Sequence, residues 1–196
     1  DLAIELPSLS IADVLTTVEV TPPEVQLAGL FQVNATITGA LDNPQIDGTL
    51  TNRQTVQIDR VGLEVVNTEF SVTPDQVTIA SLNIVPEVGG QITGDGRIQL
   101  GQRTGLVFDA TVENVSADAL ATLYGANLPP DLSIGNVNAT LQAFGPLTDT
   151  SQLRAIANWQ TNGTYPAQGE IAYTNNTVQV RNTLVQALGG TLTAAG

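Results

Sequence analysis

Cysteine, histidine, lysine and methionine are all missing from this chain of 196 residues, and aromatic residues make up only 4% of it. Each absence removes a class of chemistry. Without cysteine there is no disulfide framework and no thiolate metal site. Without histidine and lysine there is no imidazole base, no Schiff-base amine and no phosphate-cradling loop ending in Lys-Ser/Thr. The only cations are six scattered arginines, Arg53, Arg60, Arg97, Arg103, Arg154 and Arg181, against 19 acids, for a net charge of −13. A polyanion needs clustered positive charge, so no nucleic-acid partner is expected, and the chain is a poor docking face for anionic headgroups. No run approaches the roughly 18 uninterrupted apolar residues of a membrane span.

What remains for catalysis is paired carboxylates, as in a glycosidase. Glu64 with Glu69 and Asp42 with Asp47 are near in sequence, and isolated acids of this kind are ordinarily solvated surface residues. Asp42, Asn43 and Asp47 could offer oxygens to calcium but lack the dense spacing of a calcium loop, and they read as turn chemistry. No catalytic residue, metal ligand or cofactor is assigned, and an enzyme is not expected.

The composition that is present favours strands. Hydrophobic residues reach 42%, charged residues only 13%, and the low aromatic content leaves Ala, Val, Ile and Leu to carry the apolar fraction. Apolar positions recur at period two: Phe31, Val33, Ala35 and Ile37 alternate with Gln32, Asn34, Thr36 and Thr38. Alternation puts one apolar and one polar face on each strand. Thr73-Pro74-Asp75-Gln76 and Thr174-Asn175-Asn176-Thr177 read as hairpin turns, and Gly39, Gly48, Gly89, Gly90, Gly94 and Gly96 as bends or bulges.

The chain also repeats itself. Val33-Asn34-Ala35-Thr36-Ile37 returns as Val137-Asn138-Ala139-Thr140-Leu141, from 33 to 137, and Gly89-Gly90-Gln91-Ile92-Thr93 returns as Gly189-Gly190-Thr191-Leu192-Thr193. Two units follow, 1–100 and 101–196. The second stops where the first continues into Arg97-Ile98-Gln99-Leu100, so the intact protein is expected to be longer. Ser116 to Gly125 reads as a short helix with a serine cap and a glycine stop, its counterpart being Ser10 to Leu15, and the Pro22-Pro23 and Pro129-Pro130 pairs should start the return to strand. Ala119, Leu120 and Leu123 would let such a helix cover an apolar face.

The expected fold is all-β, a curled antiparallel sheet of two tandem repeats with one short helix each. Twelve residues are assigned to its apolar lining: Phe31, Val33, Ile37, Val77, Ile79, Ile92, Leu106, Phe108, Val137, Leu141, Val178 and Val180. A closed sandwich would use the same positions, so the pattern alone leaves a closed core and an open groove both standing.

Three segments carry a family resemblance: Gly39 to Gly48 (GALDNPQIDG), the Phe70 to Ile79 hairpin, and Gly89-Gly90 leading into Gly94-Asp95-Gly96-Arg97-Ile98-Gln99-Leu100. The chain resembles the TamB and AsmA-like proteins of the bacterial envelope over nearly its whole length. It departs from their pattern at Gly145-Pro146-Leu147-Thr148, where Asn-Pro is missing. The resemblance implies a U-shaped β-groove (a β-taco) in a periplasmic protein anchored in the inner membrane through parts outside this sequence. It implies phospholipid acyl chains as cargo, an outer-membrane barrel partner of the TamA type, and a role in phospholipid transport between the membranes or in outer-membrane protein assembly. A structural or adhesive cell-surface β-solenoid or sandwich with a closed core is the competing expectation.

Overall fold

The computed structural model describes residues 2–10, 26–101, 104–146, 149–187 and 189–194. Their strands are β1 (Leu2–Ser10), β2 (Leu27–Ala28), β3 (Leu30–Ala40), β4 (Asn43–Asn52), β5 (Val56–Ile58), β6 (Val61–Thr73) and β7 (Gln76–Pro86). The rest are β8 (Gln91–Gln99), β9 (Gly105–Ser116), β10 (Asn136–Gly145), β11 (Arg154–Thr161), β12 (Ala167–Thr174), β13 (Thr177–Ala187) and β14 (Gly190–Ala194). All pair antiparallel in one 14-stranded sheet of order β1-β3-β4-β6-β7-β8-β9-β10-β11-β12-β13-β14, with β5 beside β6 and β2 beside β5. β1 and β14 do not pair, so the sheet is not closed into a barrel; it is the open, curled antiparallel sheet of an all-β groove. Few hydrophobic side chains are buried among the described residues, unlike the filled core that a second sheet packed face to face would create.

The two ends of the strands differ. At one end β3 meets β4 through Leu41-Asp42, β6 meets β7 through Pro74-Asp75, and β12 meets β13 through Asn175-Asn176. Asn175 and Asn176 both have positive φ, 52° and 56°, the conformation a two-residue hairpin needs and asparagine tolerates. At this end the second unit lacks Asn-Pro, and there the turn changes. β10 and β11 are joined by a longer loop holding a 3₁₀ turn, Thr150–Gln152, in which the Asp149 carboxylate accepts from Ser151 N at 3.0 Å, Ser151 Oγ at 2.5 Å and Gln152 Nε2 at 2.7 Å.

The opposite end carries the irregular structure. The chain bends at Gly29 and again at Arg53-Gln54, so β2 and β5 form a short ribbon against the start of β6. The corner encloses the tightest core among the described residues: Val56 is 1% exposed and packs with Phe31, Leu63 and Val66, flanked by Leu50, Val61 and Ile84. Helix α1 (Ala117–Leu123) begins as expected, with Ser116 Oγ accepting from Ala119 N at 3.2 Å, and ends at Gly125 with φ 83°. The Asp118 carboxylate ties its first turn to the following loop, accepting from Ser133 Oγ (2.5 Å), Ile134 N (2.6 Å) and Gly135 N (3.4 Å). These donors stabilise the charged form and hold the carboxyl below the usual range. The Pro129-Pro130 pair does not restart a strand; β10 begins only at Asn136, after this loop is secured. The counterpart helix at Ser10 to Leu15 and the Pro22-Pro23 pair lie outside the described residues, apart from Ser10 at the end of β1.

Candidate functional site: a half-open apolar face

Directly opposed residues in an antiparallel pair share a face, so the register traces that face across the sheet. Leu6 stands opposite Val33, then Leu50, Thr68, Leu82, Gly94, Ala110, Leu141, Ala157, Ile171 and Val180. A neighbouring row runs from Ile4 through Ala35, Gly48, Phe70, Ile79, Gly96, Phe108, Ala143, Ala155 and Tyr173 to Val178. All twelve residues assigned to the lining fall on this one face. It crosses eleven strands, about 48 Å at the usual strand spacing.

Their exposure distinguishes an open face from a core. Phe31 and Val33 are buried, at the corner, whereas Ile37, Val77, Ile79, Ile92, Leu106, Phe108, Val137 and Leu141 are half-buried. Val178 and Val180 are exposed, at 64% and 41%. A sandwich core would bury such positions; here most of them keep part of their surface open to solvent. Trp159 belongs to the same face, opposite Ala139 and Gly169, and its Nε1 is shielded from solvent without a hydrogen-bond partner, as is Thr183 Oγ1 beside Gly169.

The glycines of the face have a different role from the one their sequence context suggests. Gly48 sits in an unbroken ladder, with no bulge. Gly94 and Gly96 are paired residues of β8, and the irregularity near them lies in β7, between Ile79 and Leu82. What these positions share is a ring from the next strand. A Cβ on Gly48 would meet Phe70 Cζ at 2.8 Å, one on Gly96 would meet Phe108 Cδ2 at 2.7 Å, and one on Gly169 would meet Trp159 Cζ2 at 3.0 Å. Three of the few aromatic side chains therefore lie over glycine gaps, and the lining stays low.

The opposite face is polar. One row reads Gln32, Thr51, Asn67, Asn83, Thr93, Thr111, Thr140, Asn158, Glu170 and Arg181, each opposite the next. Arg181 Nη1 lies 3.6 Å from Glu170 Oε1. Two shallow depressions of about 520 and 720 Å³ lie along this row and share Thr111, Thr140 and Asn158. Twist makes a sheet saddle-shaped, so each face is concave along one diagonal. Apolar residues interrupt the polar face in places: Val65 (39% exposed) stands opposite Val85, and Phe144 (43%) stands opposite Val107 (57%), with Ile156 (37%) on the next strand. Alternation in β10 assigns Phe144 to this face, but only the register shows which residues join it.

The sequence-level acids are dispersed. Glu69 is on the polar face opposite Thr49 and Ser81, and Glu64 lies at a register break in β6. Asp42 is in a turn, and Asp47 accepts from Gln45 Nε2 at 2.8 and 3.1 Å, which with Ser71 keeps its carboxyl below the usual range. Among the described residues no three acids come together as metal ligands, and no helix is long and apolar enough to cross a membrane.

α1 lies at the irregular end of the strands, with its C-terminus held to the β5–β6 turn, and buries none of its own residues. Arg60, in the β5–β6 turn, donates from Nη1 to the Leu123 carbonyl (3.1 Å), and its guanidinium lies 5.6 Å from the Tyr124 ring centre. Tyr124 donates its hydroxyl to Asp59 Oδ2 (2.8 Å), which pushes its pKa up. The helix thus reaches from the end of β9 back to the β5–β6 turn. Comparison with family models, with curated proteins and with solved structures yields no match.

Proposed function

We propose that this chain is a β-groove segment of a bacterial envelope protein, a conduit whose apolar face carries phospholipid acyl chains between the inner and outer membranes. The observation that carries this reading is the continuity of a half-exposed apolar face over eleven strands and both repeat units. A chain of about 16 carbons resting half its methylenes on that face gains on the order of 6 kcal/mol of transfer energy, most of which offsets the freedom lost on binding, so the chain is held weakly. Holding of that strength, by a lining without charges, suits passage better than storage. The resemblance to TamB and AsmA-like proteins supports the same reading and supplies its setting: the periplasm, an inner-membrane anchor outside this sequence, and an outer-membrane barrel partner of the TamA type.

The test is native mass spectrometry of the chain purified without added lipid, with extraction and identification of what travels with it. Phospholipids of mixed headgroup are expected, and they should be lost from Ile37→Asp, Ile79→Asp and Leu141→Asp but kept by Thr93→Asp and Thr140→Asp on the polar face. Asn138 is unsuited as a control, because its Oδ1 accepts from Asn114 N (3.0 Å) and secures the β9 bulge. A lipid-free mass, or equal tolerance of charge on both faces, would overturn the proposal and favour a structural or adhesive β-domain.

A further inference from the structure

We propose that one row of the polar face, Arg97, Val107, Phe144 and Arg154, is a docking site for an extended acidic polypeptide segment with two carboxylates four residues apart and an apolar side chain midway between them. The four residues stand side by side on adjacent strands: Arg97 is opposite Val107, Val107 opposite Phe144, and Phe144 opposite Arg154. They lie in the interior of the sheet, on β8 to β11, where every strand is paired on both sides.

Both the apolar centre and the charged ends of this row are unusual for the chain. Phe31, Phe70 and Phe108 take the apolar face, and Phe144 alone of the four phenylalanines takes the other. Phe144 and Val107 leave 43% and 57% of their surface to solvent, and Ile156, two residues from Arg154 on the same face, leaves 37%. Single exposed apolar residues are ordinary, whereas neighbouring ones rimmed by polar groups mark an interaction surface. Arg97 and Arg154 are exposed, and neither makes a hydrogen bond or ion pair to any described residue, although the chain holds 19 acids. Arg53, Arg60 and Arg181 are each engaged within the chain. The acids nearest in register, Asp95 and Asp109, stand opposite each other one row away, and Asp109 accepts from Gln142 Nε2 at 2.9 Å. They repel a carboxylate displaced by one row, so an acidic segment is confined to the row of arginines.

The spacing defines the partner. Arg97 and Arg154 are three strand intervals apart, about 14 Å at the usual 4.8 Å. An extended chain advances about 3.4 Å per residue and points residues i, i+2 and i+4 to the same side, so acids at i and i+4 reach the two guanidinium forks while residue i+2 rests on Val107 and Phe144. An anionic bilayer would meet the whole surface of a chain with net charge −13, whereas one segment meets the two arginines alone, and this favours a polypeptide. The site lies on the face opposite the apolar lining, and the inference does not depend on what that lining carries.

The test is titration of the capped peptide Thr-Glu-Thr-Phe-Thr-Glu-Thr, up to millimolar concentration, into the isotope-labelled chain, read by backbone amide shifts. Shifts should saturate and centre on Arg97, Val107, Phe144 and Arg154. Arg97→Gln and Arg154→Gln should each weaken binding about threefold and Phe144→Ser about tenfold, with the spectrum elsewhere unchanged. Added salt should weaken it as well. Arg181→Gln, on the same face but already beside Glu170, should bind as the wild type does. Shifts that are scattered or do not saturate, equal binding of the peptide with Lys in place of both Glu, or an equal loss in Arg181→Gln would each overturn the proposal. Co-sedimentation with phosphatidylglycerol vesicles that is abolished in Arg97→Gln/Arg154→Gln, without any peptide shift, would overturn it in favour of a lipid surface.

Discussion

Gly96→Ala should destabilise the sheet although the new residue is the better strand former and the backbone there does not require glycine. Alanine in place of glycine restricts the unfolded chain and by itself stabilises by about 0.4–1 kcal/mol. At position 96 the added Cβ would lie 2.7 Å from Phe108 Cδ2 and 2.9 Å from the Val107 carbonyl oxygen, so the ring must lift and the neighbouring strand must shift. Overpacking of this kind costs about 1–3 kcal/mol, leaving a net loss of roughly 1–2 kcal/mol. For a chain of this size that is a fall of about 4 °C in Tm. Gly105→Ala is the matched control: nothing lies within 4 Å of its Cβ, so only the unfolded-state effect remains and Tm should rise by about 2 °C. Phe108→Leu placed on top of Gly96→Ala should recover part of the loss, and the double-mutant cycle gives the coupling. Thermal unfolding followed by circular dichroism reads all five proteins, the wild type and Phe108→Leu included. If Gly96→Ala matches Gly105→Ala, the ring does not rest in the glycine gap and the low lining is wrong.

Val56→Ala removes two methyl groups from the most enclosed side chain and should cost about 2–3 kcal/mol in urea unfolding, whereas Val178→Ala, 64% exposed, should cost under about 0.5 kcal/mol; similar values would contradict the corner core. Asp118 is held below its usual range by its Ser133 and Ile134 donors, so its folded pKa is depressed. Its contribution is then present above the unfolded value of about 3.9 and lost as pH falls through the folded pKa. The difference in Tm between the wild type and Asp118→Asn should therefore be largest near neutrality and close in acid. A gap that is constant with pH would contradict the assignment.

Much of the sheet was legible because its determinants are local. Alternation in Phe31 to Thr38 sets which face each residue takes, and Asn175-Asn176 suits a turn with two positive φ angles. Ser116 and Gly125 bound the helix for equally local reasons. What was not legible depends on partners far along the chain. Gly48 and Gly96 look like bulges until the register puts Phe70 and Phe108 beside them. Val56 resembles any other valine, and only the bends at Gly29 and Arg53 place it under Phe31. Asp118 reads as a first-turn acid, yet its partners lie in the loop that returns to β10. The exposed Phe144, Val107 and Ile156 meet only through cross-strand pairing.

Strand order in the sheet follows chain order, apart from the short β2 and β5. Each long strand therefore pairs with one that was synthesised just before it, and most pairs close over a short connection, the exceptions being β1–β3 and β9–β10, which are joined through residues 11–29 and 117–135. Such a sheet can grow from one end as the polypeptide emerges, without waiting for distant segments, and its folding should be fast for an all-β protein. The same growth keeps an unpaired edge at the advancing front until the next strand arrives, so the interval between successive strands is when a nascent chain of this design is most open to mispairing.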